Sequence, residues 1–361
     1  MRVAVTFEQC WHRVPGGTAA AALAVARRLV ERPHEVTQIG VAASHRGPAP
    51  EPWAPPVRCR ALPLPRAALY ESWQRLRLPP VQLVTGRVDV IHATTIIVPP
   101  RTAPLVVTLH DLAFLHDPGH FTPHGVSVFR RSLDLVRRHA DLVLCSSSAT
   151  MDDARAVGIR AERLRLVLLG VDAVEVDADA RREVLARYGL SRPFVLFNGT
   201  LEPRKNLRGL AAAMALLTDH ELDLVVAGPV GWGADSADAL SPLGERVRLL
   251  GFVPEVDLPA LFATAAVLCY PSLREGFGLP VLQAMAQGTP VVTSRGTSTE
   301  EVAGGAAVLV DPRDPQDIAR GIADALAGRD ELDGLGRARA AAMSWDVTAE
   351  STLAAYRELA E

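Results

Sequence analysis

Of the 38 basic residues in this 361-residue chain only one, Lys205, is a lysine. Arginine fills every other basic position, which has the look of a genomic bias and makes the single lysine stand out. Cysteine is scarce too: Cys10, Cys59, Cys145 and Cys269 lie far apart and form no metal-type pairs. That excludes a disulfide scaffold and makes a reduced, cytoplasmic protein the default expectation. No apolar stretch approaches the length of a membrane span. The opening residues MRVAVT read as a strand rather than as part of a signal peptide's long apolar region. Hydrophobic residues nevertheless make up 48% of the chain, so a large core can form, and the length suits two domains of ordinary size.

The net charge of −3 hides an uneven spread. Residues 1–172 carry 21 arginines against 14 acidic residues, whereas the remainder carries 17 basic against 27 acidic ones. A basic first half suggests an anionic partner, either an acidic lipid surface or a phosphorylated molecule, with ordinary solvated surface as the plainer reading. The segment 67–78 sets Leu69, Tyr70, Trp73, Leu76 and Leu78 beside Arg66, Arg75 and Arg77. That is the composition of an interfacial helix, although a surface helix packed on a core has it as well. His116, His120 and His124 recur every four residues, but Pro118, Gly119 and Pro123 interrupt any regular helix, so a mobile loop fits better than a zinc site.

Short apolar runs alternate with helical segments along the whole chain. In the first half strands are expected at 2–7, 35–42, 88–92, 105–109, 141–146 and 164–172, with an alanine-rich helix at 18–32 after the turn Gly16-Gly17-Thr18. In the second half they fall at 194–198, 223–227, 247–252, 265–270, 291–294 and 306–310, with helices at 207–217, 258–264 and 316–326 between them. Such alternation implies an α/β protein with parallel sheets covered on both faces. The polar stretch 173–192 reads as a linker ending in a short helix, giving domains at 1–172 and 193–343 and a tail at 344–361. Asp177-Ala178-Asp179 has the look of a metal-binding DxD, but its place in the linker makes it surface.

Two stretches carry chemistry. The first runs Arg274-Glu275-Gly276-Phe277-Gly278-Leu279-Pro280 and on through Gln283 to Gly288 and Pro290. It follows a buried strand, its glycines let backbone approach a ligand, and Pro280 suits the first position of a helix. The free N–H groups at such a helix start suit a phosphate. The second, Gly199-Thr200-Leu201-Glu202-Pro203-Arg204-Lys205-Asn206-Leu207, places two adjacent cations at a strand end just before a helix. Two cations there suit a diphosphate, since charge-assisted hydrogen bonds contribute about 1.5–3 kcal/mol each, more than a surface ion pair. In the first half, Gly16 and Gly17 enter a helix, and His110-Asp111 close a strand where α/β folds bind ligands.

The first stretch resembles the signature of the retaining glycosyltransferases of family four (glycosyl transferases group 1). Their pattern is E-G-F-G-L-P-x-x-E-A-M-A-x-G-x-P-V, and the one departure is Gln283 in place of the second glutamate. The resemblance implies the GT-B fold, two Rossmann-like doubly wound domains facing across a cleft, with the tail helix crossing back to the first. It implies transfer of a sugar from a nucleotide diphosphate with retention and without a metal or other cofactor. Arg204 and Lys205 would neutralise the leaving diphosphate, Glu275 would hold a hydroxyl of the donor sugar, and His110 would lie beside that sugar with its backbone carbonyl facing the reacting carbon. The expected donor-binding set is Gly16, Gly17, Gly199, Thr200, Gly276, Phe277, Gly278, Leu279, Gln283 and Glu301, with Glu300 beside it. Arg13 and Asp111 are candidates on the acceptor side.

Gln283 keeps an acceptor oxygen but loses the charge that would meet ribose hydroxyls. Two readings stay open, a somewhat weaker donor site or a 2′-deoxyribose donor such as a thymidine diphosphate sugar. The His-Asp-Leu segment looks most like enzymes that take GDP-mannose to polysaccharide or lipid-linked acceptors, which would place the protein in the cytoplasm or peripherally at the inner face of the plasma membrane. The alternatives are a nucleotide-sugar epimerase and a non-catalytic scaffold of the same fold. No aromatic or helical readout motif accompanies the basic surface, so a nucleic-acid partner is not expected.

Overall fold

The computed structural model describes residues 1–218, 221–229 and 239–360. The chain divides into two compact units, the first comprising Met1–Leu169 with the tail from Trp345, the second Gly170–Ser344. The first holds β1 (Arg2–Thr6), β2 (Thr37–Ala42), β3 (Cys59–Ala61), β4 (Val90–Ala93), β5 (Leu105–Leu109), β6 (Leu142–Cys145) and β7 (Leu164–Leu166). They form one parallel sheet in the order β3-β2-β1-β4-β5-β6-β7. Burial on both faces explains why these strands read as continuous apolar runs.

The second unit holds β8 (Phe194–Asn198), β9 (Asp223–Ala227), β10 (Val247–Gly251), β11 (Val267–Tyr270), β12 (Val291–Ser294) and β13 (Val308–Val310). Its parallel sheet has the order β10-β9-β8-β11-β12-β13. Each sheet therefore reverses its winding direction once, between β1 and β4 and between β8 and β11. Ligands of doubly wound folds bind at the carboxyl ends of strands beside such a switch point.

Helix Gly16–Val30 buries Ala19, Ala22, Leu23, Ala26 and Leu29 over the first sheet. The tail helix Trp345–Ala360 packs against it, burying Ala349, Leu353, Ala355 and Tyr356 in the same cluster. The small alanines of the first helix permit the close approach.

Some expectations change. The stretch 173–192 belongs to the second unit and contains helix Ala178–Tyr188, packed on helix Leu258–Thr264. Asp177 is its N-cap, accepting from the Ala180 N–H at 2.8 Å, and Asp179 pairs with Arg182. Local capping thus accounts for the acidic pair. The strand expected at 164–172 is only three residues long. Of the five large apolar residues named in the segment 67–78, Leu69 and Trp73 are core, Tyr70 is half-buried, and Leu76 and Leu78 are exposed. Helix Arg329–Ala341 carries Gly334 and Gly336, which lower its intrinsic propensity. Gly336 instead lets it pack directly on Met285. No helix among the described residues is long and apolar enough to cross a membrane.

Candidate active site

The chain leaves β8 at Gly199, whose φ of +151° and missing Cβ make room for Lys205: a Cβ there would stand 3.1 Å from the lysine side chain. Asn206, at φ +58°, then turns the chain into helix Leu207–Leu216 and caps it by accepting from the Gly209 N–H. Its amide also donates to the Pro271 and Pro312 carbonyls, at 3.1 and 2.6 Å, tying together the loops after β8, β11 and β13. These ties fix where the two preceding cations point.

Both point at Glu275. Arg204 Nη1 donates to Glu275 Oε2 at 2.7 Å, and Lys205 Nζ donates to Oε1 at 3.0 Å. Tyr270, the last residue of β11, donates its hydroxyl to the same Oε1 at 2.8 Å and accepts from Lys205; Ser272 adds a further bond to Oε1 at 3.0 Å. Arg204 is also paired with Glu202 at 2.7 Å. The side chains of Lys205 and Glu275 are only 9% and 7% exposed, so this is a buried cluster of two cations and two carboxyl groups. Burial alone would raise the pKa of Glu275, but Lys205 and Arg204 outweigh it and hold the group at about 2. Burial likewise opposes the charge on Lys205, and Glu275 and Tyr270 more than restore it. Burial pushes Tyr270 up to about 12, and Glu202 is raised by burial as well.

The loop after Glu275 is pinned from below. Ser298 Oγ donates to the Glu275 carbonyl at 2.7 Å and to the Phe277 carbonyl at 3.3 Å. Gly278, at φ +105°, starts helix Leu279–Ala286, and a Cβ there would lie 2.6 Å from Thr299 Cγ2. Thr200, Gly276, Phe277 and Leu279 thus border the cluster along the chain, and Gln283 sits half-buried within that helix. Glu301 is on helix Ser298–Ala303, its carbonyl accepting from Arg339, while Glu300 accepts from the Gly296 N–H.

The remaining expected residues belong to the first unit. Arg13, Gly16 and Gly17 are exposed, and Gly16 opens its helix at φ +65°. Asp111 caps its own turn by accepting from the Ala113 N–H at 3.0 Å. His110 follows β5, its Nε2 3.2 Å from the Thr94 carbonyl. Its own carbonyl accepts from Ser146 Oγ at 2.8 Å and Thr150 Oγ1 at 3.2 Å, which uses both lone pairs. His116, of the fourfold histidine spacing, lies 2.8 Å from Asp153.

Behind His110, a cavity of about 30 Å³ is lined in part by His92, Thr94, Thr108, Thr352 and Tyr356. His92 bridges Tyr356 of the tail helix, at 2.7 Å, and Thr108 of β5, at 2.8 Å. Burial, then the neighbouring His110, pushes His92 down to about 3, and burial pushes His12 down to about 4.

These shifts make the two units lose stability to acid in different pH windows. The unfolded chain binds protons at His92 and His12 below about 6.5 while the folded chain does not, so the first unit loses stability as pH falls from 6.5 toward 3. The stabilisation from Glu275 is complete above 4.5 and fades only as pH approaches 2. Between pH 7 and 5, amide exchange in β4 and β5 is therefore expected to accelerate relative to β8 and β11. Equal changes in both sheets would contradict this assignment.

Several contributors were assigned no role by the sequence motifs. Tyr270 and Ser272 lie in a run that reads as buried strand, and only the position of Tyr270 at the strand's carboxyl end hints at its role. Glu202 lies two residues before Arg204 inside the quoted stretch, and Ser298 and Tyr356 are distant in sequence, without any spacing signal.

Two parallel α/β units, with a buried cation–carboxylate cluster at one switch point, define the architecture of a GT-B glycosyltransferase. Residues 15–175 match the model of Glycosyltransferase Family 4 and residues 182–340 that of Glycosyl transferases group 1. The O-antigen chain mannosyltransferase B of Escherichia coli is 34% identical over 75% of this chain and 74% of its own length. A D-inositol 3-phosphate glycosyltransferase of Geodermatophilus obscurus is 36% identical over 59% of this chain, which spans 52% of that protein. Among solved structures, Anabaena HepE, in complex with UDP and glucose, superposes with a TM-score of 0.76 at 20% identity, covering 99% of this chain and 100% of that one. The chain belongs to the group 1 glycosyltransferases of family four.

Proposed function

We propose that the protein transfers a mannose-type sugar from a nucleoside diphosphate, GDP-mannose being the favoured donor, to a glycan or lipid-linked acceptor, with retention and without a metal. The observation that carries this reading is the convergence of Arg204 and Lys205 on Glu275 at the β8–β11 switch point. Two preorganised cations there stabilise charge developing on a departing diphosphate, and such groups act most strongly where water is excluded. The mannosyltransferase relative supports the sugar, and the complex of HepE with UDP and glucose supports a nucleotide-sugar site in this fold. The basic first unit, with Leu76 and Leu78 exposed, supports peripheral contact with an anionic membrane.

Thermal unfolding against GDP, UDP, dTDP and ADP, with and without magnesium, tests the reading, because a ligand of the native state raises its apparent stability. A shift with one nucleotide, unchanged by magnesium, is expected. No shift with any of them at millimolar concentration overturns the transferase reading and favours a non-catalytic scaffold, which Gln283 would permit. A preference for dTDP over its ribose counterpart would assign Gln283 to a deoxyribose donor. The anomeric configuration of the product, read by NMR, tests retention. Release of nucleoside diphosphate only when acceptor is present excludes an epimerase.

A further inference from the structure

The amino edge of the first sheet carries positive charge that no carboxylate among the described residues pairs with. Arg101, Asp141 and Arg163 precede β5, β6 and β7, and Arg138 lies in the last turn of helix Pro123–His139. With Arg160 they line a groove of about 470 Å³, one strand length from His110 at the opposite edge. Three carboxylates share this groove, and each already has an arginine. Asp141 accepts from Arg101 through two bonds of 2.8 and 2.7 Å, Glu162 pairs with Arg160 at 3.1 Å, and Glu358 pairs with Arg165.

Arg138 and Arg163 are left over. Arg138 donates to the Asp134 carbonyl at 3.1 Å, and Arg163 donates to the Arg137 and Ala140 carbonyls, both at 2.9 Å. Those carbonyls close a helix, whose carboxyl end carries only about half an elementary charge. Two guanidinium charges outweigh it, and each group keeps N–H donors unspent. The surplus is felt at His139 on the groove wall. Burial, then Arg77, Arg138 and Arg101, hold its pKa below the ordinary value, so the ring is neutral at pH 7.

We propose that this groove binds a phosphate group, as a second anion site in the first unit, whereas Arg204, Lys205 and Glu275 belong to the second. The site stands independently of the transferase reading. Arginine suits phosphate because its planar fork donates parallel bonds to two oxygens. Arg163 is held by its two carbonyls and Arg101 by its carboxylate, so little side-chain freedom is lost on binding. No tryptophan, tyrosine or phenylalanine lines the groove, so it offers a nucleobase no platform. The ligand class is a phosphomonoester, carried by a soluble molecule or by a lipid headgroup.

Hydrogen exchange of the full chain, with chloride replaced by inorganic phosphate at constant ionic strength, tests the site. Amides of 137–142 and 160–164 are expected to slow, by about tenfold once phosphate reaches about ten times its Kd, because the ligand favours the closed state by mass action. In Arg138→Gln, which leaves the Arg163 bonds in place, the Kd should rise about tenfold, the loss of one charge-assisted bond. Lys205→Ala should leave the slowing intact.

No slowing in these segments overturns the proposal, and so does a Kd unchanged in Arg138→Gln. Slowing that disappears in Lys205→Ala overturns it as well, because the effect would then come from the other unit. Cosedimentation with phosphatidylcholine vesicles, with and without phosphatidic acid, assigns the source. Binding that needs phosphatidic acid and weakens in Arg138→Gln supports a headgroup. Slowing in inorganic phosphate without vesicle binding supports a soluble phosphomonoester.

Discussion

Lys205→Ala is expected to lower transfer by about two to three orders of magnitude, the usual effect of removing one preorganised donor from a charge-stabilising site. The loss should fall on turnover and on diphosphate affinity together, because Lys205 would meet the diphosphate in both ground and transition state. Lys205→Arg should not rescue it. The lysine stem lies close against Gly199, 3.1 Å from where a Cβ would stand, and its single nitrogen reaches both Tyr270 and Glu275. A guanidinium is broader and planar, so it cannot make the same pair of contacts. The measurement is steady-state kinetics of both variants on one donor. Retention of more than a tenth of wild-type turnover by Lys205→Ala would remove this residue from the chemistry. A chain that uses arginine at every other basic position would then lack a reason for its one lysine.

Leu353→Ala should destabilise the protein by about 2–5 kcal/mol, the cost of truncating a buried leucine and leaving a cavity. Leu353 is fully buried in the tail helix against the alanine face of helix Gly16–Val30. The loss should be confined to the first unit. Hydrogen exchange should accelerate in β1, β4 and β5 while β8, β9 and β11 keep their protection, since foldons open separately. Uniform acceleration across both sheets, or none, would contradict membership of the tail in the first unit.

The fold was readable because continuous apolar strands and intervening helices are what a parallel sheet demands of its sequence. Strands β8, β9 and β12 have the bounds that their apolar runs suggest. Misreadings arose where local signals compete. The polar composition of 173–192 suggests a linker ending in a short helix, whereas that helix is docked on the second unit, with Tyr188 donating to Asp257 at 2.7 Å. At the candidate site, Arg204, Lys205 and Glu275, singled out in the sequence as charges at strand ends, are brought together by the fold. What periodicity could not convey is direction. Tyr270 has the spacing of a core residue, and only three-dimensional placement turns its hydroxyl toward Glu275. The mutual pairing of the three charged residues was invisible for the same reason, since Glu275 lies 70 positions from Lys205.

The second unit is one uninterrupted segment, whereas the first is closed by helix Trp345–Ala360, which follows the second in the chain. During synthesis domains fold as they emerge, and the amino-terminal one normally finishes first. Here the order inverts. Residues 1–169 leave the ribosome with the alanine face of helix Gly16–Val30 uncovered and with His92 lacking its tyrosine partner. They stay incomplete while the whole second unit is made and folds. Only the emergence of helix Trp345–Ala360, carrying Leu353 and Tyr356, completes the first unit.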